Sequence, residues 1–209
     1  MRAIIPCCGF GTRMNMEKHQ AKELLDDSEN NDCPIILWTI QQCKNNKIEP
    51  FCIVRKEKVD LIEYLKEQSV DFLITEPGKE WQDTVLKSKD YWADENILIL
   101  PDTRWKPNHI LRHMKDSIKF DDAVFALHKV QDPQNWGIIY HDMIFDKPVC
   151  FSTEQNAWGL IAFKKHYGEE LFNKINAISN KQRILKNTSY VILDEFKDIT
   201  RGDEKSIKL

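Results

Sequence analysis

Ala3-Ile4-Ile5-Pro6-Cys7-Cys8-Gly9-Phe10-Gly11-Thr12-Arg13-Met14 stands near the start of the chain and decides how the rest is read. Ala3 to Cys7 is a short apolar run of strand length, which reads as a buried strand. Two glycines follow at once. They let the backbone turn tightly and present its N–H groups to an anion. Arg13 can add a fork of charged donors. Gly9, Gly11, Thr12 and Arg13 are therefore candidates for holding phosphate. The loop is not a Walker loop, because GxxxxGK[ST] is missing, and it falls short of the full GxGxxG fingerprint. Taken alone, it reads equally well as an ordinary strand-to-helix turn.

Outward from the loop, strand-like and helix-like stretches alternate. Pro34 marks a helix start, and Ile36, Leu37, Ile40 and Cys43 give the helical spacing. Phe51 to Val54 reads as a strand, Val59, Ile62 and Leu65 as a helix, and Val70 to Ile74 as a third strand. A helix over Asp83 to Trp92 precedes Ile97 to Leu100, whose wholly apolar run predicts a central strand. Such units predict a mostly parallel sheet flanked by helices on both faces. The second half changes character. A strand at Ala123 to Leu127 is followed by the turn cluster Asp132-Pro133-Gln134-Asn135 and short strand-like runs at Gly137 to Tyr140 and Met143 to Phe145. Leu160 to Phe163 reads as a strand, residues 165 to 187 as helical, and Tyr190 to Leu193 as a last strand before a charged tail. The expectation is an α/β fold with a small antiparallel β insertion closing over one end. With 209 residues and no repeat or linker, residues 1–209 read as a single domain.

Apolar residues make up 42% of the chain and charged residues 30%, an ordinary globular balance. Thirty basic against 33 acidic side chains leave a net charge of −3. That balance excludes nucleic acid as a partner held by a general positive field. An anionic ligand must be held by a local site. The six cysteines form no CxxC pair and read as reduced thiols of a cytoplasmic protein. No apolar stretch approaches the roughly 18 residues of a membrane span, and residues 1–12 do not make a signal peptide. A homo-oligomer is compatible with the sequence, which does not set the state.

Three further residues acquire meaning only together. Lys22 lies in Ala21-Lys22-Glu23-Leu24-Leu25 and alone would be a solvated lysine on a short helix. Asp102 follows the most apolar strand, at the end where ligands of open α/β sheets sit. It can hold Mg²⁺ on phosphate oxygens, or simply serve a Pro-Asp-Thr turn. Asp198 reads by itself as a charge on an exposed tail. His109 and His113 have metal-ligand spacing on a helix, but they lack the central glutamate of HExxH and read as a solvated face.

In order, these pieces resemble the sugar-phosphate nucleotidylyltransferase family. That family opens with a strand, a G-x-G-T-R loop and P-K-x-L-L. Gly9 to Arg13 and Ala21 to Leu25 match, with Ala21 for the usual proline. Asp102 matches the first metal aspartate. Asp132-Pro133 with Trp136-Gly137-Ile138-Ile139 resembles D-P-x-x-Y-G-V-V, and Asp146-Lys147-Pro148 resembles E-K-P. Ala157 to Phe163 resembles the later glycine-containing strand. Phe196-Lys197-Asp198-Ile199-Thr200 resembles W-x-D-I-G-T without its glycine. The resemblance implies a Rossmann-like α/β sandwich and Mg²⁺-dependent transfer of a nucleoside monophosphate from a nucleoside triphosphate to a sugar 1-phosphate. It implies that Arg13, Lys22 and Asp102 are catalytic, that Asp102 and Asp198 hold the metal, and that Gly137, Asp146 and Lys147 bind the sugar phosphate. Gln82, in Gln82-Asp83-Thr84, takes roughly the place of the base-reading G-T-A segment.

The departures keep two alternatives open. Asp146 is one methylene shorter than glutamate and the hairpin between Gly137 and Asp146 is short, which permits a non-sugar phosphate ester as acceptor. A non-catalytic nucleotide-sugar sensor on the same fold is the other, although Asp102 and Lys147 are both present. A second register would put Glu154 in the E-K-P role, with Gln155 in place of the lysine. The chain ends where many relatives add a β-helix, so acetyl transfer is not expected.

Overall fold

The computed structural model describes residues 1–11, 14–27, 32–141, 143–148, 153–176 and 185–199. Its first strand, β1 (Arg2–Pro6), runs into the glycine loop. A short 3-10 turn at Lys22–Leu24 and two two-residue strands, β2 (Asp26–Asp27) and β3 (Cys33–Pro34), lead to helix α1 (Ile35–Asn45). Then come β4 (Glu49–Val54), α2 (Val59–Glu67), β5 (Asp71–Ile74), α3 (Trp81–Leu86) and β6 (Glu95–Leu98). The next elements are β7 (Thr103–Lys106), α4 (Ile110–Ser117), β8 (Ala123–Val130), β9 (Gly137–Tyr140), β10 (Met143–Asp146), β11 (Gln155–Lys164) and α5 (Lys165–Asn176). Strands β12 (Thr188–Ile192) and β13 (Glu195–Asp198) close the series.

One nine-stranded sheet runs β10-β9-β11-β6-β1-β4-β5, with β8 on β11 and β12 on β8. Only β10 and β11 run against the other seven strands. The alternation of strand side chains sorts the core into two layers. Ala3, Ile5, Cys52, Val54, Ile97, Val124 and Leu160 face α1, α2 and α4 through Ile36, Ile40, Leu61, Leu65, Leu111 and Met114. Ile4, Phe51, Ile53, Leu98, Phe125, Ile161 and Phe163 face α3 and α5 through Val85, Leu171, Phe172 and Ile175. Helices therefore cover both faces, as the alternating pattern predicts.

The expected helix from Asp83 to Trp92 is interrupted. After α3 the chain makes a separate 3-10 turn at Lys89–Tyr91. Ser88 explains the break: its hydroxyl donates to the Val85 carbonyl (2.7 Å) and accepts from Trp92 Nε1 (3.0 Å), in competition with helical backbone bonding. The helical stretch expected to reach 187 gives α5 as far as Asn176; residues 177–184 lie outside the described residues, and Lys186 and Asn187 belong to no helix. The expected antiparallel β insertion is the β9–β10 hairpin, which joins the main sheet through β11. The supposed tail at Phe196 to Asp198 is strand β13, paired antiparallel with β7, a strand the sequence pattern did not announce.

Candidate functional site

The carboxyl ends of β1, β5 and β6 converge on a cavity of about 410 Å³. Strand β6 lies on one side of β1 and β4 on the other, so the direction of winding reverses at β1, where open α/β sheets place ligands. The loop after β1 supplies Cys8, Gly9 and Phe10 to the cavity wall; the loop after β5 supplies Pro77 to Trp81; the turn after β6 supplies Leu100 to Asp102. Lys22, Thr84 and Asp198 complete it.

Lys22, Asp102 and Asp198 are brought together from three distant parts of the chain. Asp102 sits in the turn between β6 and β7. The register of β7 with β13 sets Asp198 opposite Thr103, and Ile199 N–H donates to the Asp102 carbonyl at 2.9 Å. Lys22 Nζ forms an ion pair with Asp102 Oδ2 in a setting where the two side chains are only 14% and 7% exposed. Burial pulls the Lys22 ammonium down, but the negative charge of Asp102, reinforced by Glu23 and Asp198, overcomes it and holds the group above the ordinary lysine value. Two carboxylates on one wall, with phosphate oxygens and water for the remaining positions, suit Mg²⁺. Among the described residues no cluster of three or more His, Cys, Asp or Glu groups forms.

Gly11 adopts φ +66°, a left-handed conformation that glycine takes without strain. Its carbonyl accepts from the N–H groups of Met14 (2.9 Å) and Met16 (3.4 Å), which folds the loop back on itself. Thr12 and Arg13 lie outside the described residues. Beneath the loop, Lys58 and Glu23 form a wholly buried pair: Nζ meets Oε1 at 2.9 Å and Oε2 at 2.7 Å, and also donates to the Cys7 carbonyl at 2.8 Å. Burial pushes the Cys8 thiol up to about 12.

Residues 2–189 match the family model for nucleotidyl transferase. The chain belongs to the nucleotidyl transferase family. It is 27% identical over 206 residues to the bifunctional protein GlmU of Methanococcus maripaludis, covering 97% of this chain and 44% of that one. It is 26% identical over 172 residues to the GlmU of Aquifex aeolicus, covering 75% of this chain and 36% of that one. The chain thus spans less than half the length of these curated relatives. In fold it is similar to a protein assigned as a glucose-1-phosphate thymidylyltransferase from Bacillus anthracis (TM-score 0.74, 20% identity, 97% of this chain and 91% of that one). It is also similar to HddC from Yersinia pseudotuberculosis, crystallised with GMP-PN (TM-score 0.69, 15% identity, 97% and 95%).

Within this nucleotidyl transferase domain, Gly9, Lys22, Asp102 and Asp198 line one cavity. Gln82 does not line it. Its side chain is 1% exposed on α3, and the neighbours Trp81 and Thr84 face the cavity instead. Thr84 also fixes the loop before it, its hydroxyl accepting from Gly78 N–H at 2.9 Å. Gly137 opens β9 and Lys147 stands exposed just after β10, its N–H donating to the Trp136 carbonyl at 3.0 Å; neither is part of the cavity wall. The backbone of Asp146 pairs with Gly137. Gly137 is a position of close approach: a Cβ there would overlap the indole of Trp158, which packs against Trp81 with centroids 5.3 Å apart. His109 and His113 are exposed neighbours with ring centroids 4.7 Å apart. Among the described residues, no helix is long and apolar enough to cross a membrane.

The sequence reading missed Phe10, the buried Glu23–Lys58 pair, the Pro77 to Trp81 wall and Arg55. Arg55 carried a usable signal. It directly follows the apolar run Phe51 to Val54, at the carboxyl end of a strand adjacent to the glycine loop.

Proposed function

We propose that the chain transfers a nucleoside monophosphate from a nucleoside triphosphate to a sugar 1-phosphate, forming a nucleotide-sugar, with residues 1–209 acting as one nucleotidyltransferase domain. The observation that carries this reading is the meeting of Lys22, Asp102 and Asp198 beside the glycine loop at the carboxyl edge of the sheet. The family and the thymidylyltransferase named among the similar structures support it.

A phosphate oxygen of the sugar ester attacks the α-phosphorus in line. The new P–O bond forms as the bond to the bridging oxygen breaks, and pyrophosphate departs with the electron pair. The nucleophile is already an anion, so no strong base is needed. The obstacle is to bring anions together and to neutralise the charge that develops. The loop amides of Gly9 and Gly11, with Thr12 and Arg13, hold the triphosphate. The Lys22 ammonium, kept charged by its carboxylate neighbours, is placed on the cavity wall to meet the α-phosphate. Asp102 and Asp198 would hold Mg²⁺, which when bound supplies charge neutralisation at the phosphate oxygens. Lys147 pairs with the sugar's phosphate, while Asp146 and the Gly137 backbone take hydroxyls. Trp81 and Thr84 shape the wall nearest the base.

The test is to incubate the protein with each nucleoside triphosphate, Mg²⁺ and a panel of sugar 1-phosphates and small phosphate esters, and to identify the product by mass. A nucleotide-sugar formed in step with pyrophosphate is the expected result. Consumption of a non-sugar ester alone, or no product from protein that binds nucleotide, would overturn it.

A further inference from the structure

Arg55 follows β4 and stands beside the loop that leaves β1. Its residue is 0% exposed, and no acceptor among the described residues reaches Nε, Nη1 or Nη2. The guanidinium carbon lies 4.4 Å from the centroid of the Phe10 ring. That ring is 41% exposed and forms part of the cavity wall. One aromatic ring therefore separates a buried cation from the candidate nucleotide cavity.

Among the described residues no carboxylate oxygen reaches it. The Phe10 face attracts the cation but offers no oxygen, so the directional N–H donors stay unsatisfied. Buried polar groups in native proteins are almost always paired, and one that is not calls for a ligand or a strain role. A planar fork of donors matches the oxygens of a phosphate.

We propose that Arg55 is a binding site for the phosphate tail of the triphosphate, the part that leaves as pyrophosphate, and that Phe10 covers it until nucleotide arrives. Phe10 stands between Gly9 and Gly11; a Cβ added at Gly9 would meet only Lys22 Cε at 4.0 Å, whereas one at Gly11 would press on Met16 at 3.1 Å, so the freedom to turn the ring lies at Gly9. Arg55 follows β4, on the other side of β1 from β6 and its Asp102 turn; once the ring is displaced, the guanidinium offsets the charge that builds on the leaving group. The inference rests on the nucleotidyl-transfer reading.

Inorganic pyrophosphate with Mg²⁺, titrated calorimetrically into the wild type, Arg55→Met and Phe10→Ala, tests it. The expected result is binding by the wild type, weakened about 10–100-fold in Arg55→Met, as for a lost charge-assisted contact. The same variant should melt no lower than the wild type, because it removes a buried charge that lacks a partner. Phe10→Ala should bind pyrophosphate more tightly. If Arg55→Met fails to fold, Arg55→Lys, which keeps the charge and loses the fork, should bind more weakly than the wild type. Wild-type affinity in the Arg55 variants, with a lowered melting point, would make Arg55 a structural cation and overturn the inference while leaving the transferase reading in place. A wild type that binds neither pyrophosphate nor any nucleoside triphosphate would overturn both.

Discussion

Arg104 and Arg55 are both buried guanidinium groups set against an aromatic ring, 4.6 Å from the centroid of Trp38 in one case and 4.4 Å from that of Phe10 in the other. Arg104 is also fully provided for. It pairs with Asp27 and donates to the carbonyls of Ile35 and Thr103, both at 3.1 Å. Its place is structural: it ties β7 to the segment before α1 and so fixes the turn that carries Asp102. Arg55 has the ring and no oxygen partner among the described residues. The same side chain is thus used once to build the cavity and once, we infer, to serve it. What separates the two roles is the presence of an acceptor, not burial.

Asp27→Asn removes the carboxylate and leaves Arg104 with the Ile35 and Thr103 carbonyls but no counter-charge. Breaking a buried pair from one side typically costs about 3–5 kcal/mol, and a denaturant titration should show a loss of that order. A loss as small as that of a surface charge would mean that Arg104 needs no partner and that the contrast has no force. Gly137→Ala probes another wall. The added methyl would displace the Trp158 indole and, through Trp81, the cavity side of α3. We expect about 1–3 kcal/mol of destabilisation, the usual range for overpacking, together with a raised KM for the acceptor.

Lys22 sharpens the contrast through pH. Its ammonium is held above the ordinary lysine value, so the stability it contributes is fully present below about pH 10 and is lost as pH rises through the folded value. The stability difference between the wild type and Lys22→Met should therefore be level from pH 6 to about pH 9 and narrow only in more alkaline solution. Narrowing near neutral pH would show that Asp102 does not hold the charge. The smallest effect is expected from the exposed pair Lys106–Glu195 across the β7–β13 ribbon, whose side chains are 65% and 51% exposed. Glu195→Gln should leave the unfolding midpoint unchanged within error, because solvent screens such pairs.

The parts legible in the sequence are those set by local pattern. The first strand, the glycine turn, the alternation of strands and helices and the two-faced core follow from apolar spacing. Lys22, Asp102 and Asp198 were found only because they stand in order within a resembling framework; nothing local to Asp198 announced it. Its position depends on the pairing of β13 with β7 across a long stretch of chain. Strand β7 hid because Thr103-Arg104-Trp105-Lys106 lacks an apolar alternation, and its burial comes from the Arg104–Asp27 pair and from Trp105 against Trp38. Gln82 stands in a motif-like place in the sequence, whereas the fold buries it on α3 and leaves Trp81 and Thr84 facing the cavity. Arg55 read as an ordinary charged residue at a strand end. Only the fold shows that it is buried and that no acceptor among the described residues reaches it.

The account depends above all on one cavity wall carrying the chemistry. The most direct test is to measure pyrophosphate release from wild type and Asp102→Asn side by side, with nucleoside triphosphate, Mg²⁺ and a sugar 1-phosphate, after matched unfolding curves confirm that both are folded. The account predicts release in the wild type and a rate at least about 100-fold lower in the variant, as for the loss of one electrostatic contact to the developing charge. Equal rates in the two proteins would contradict it.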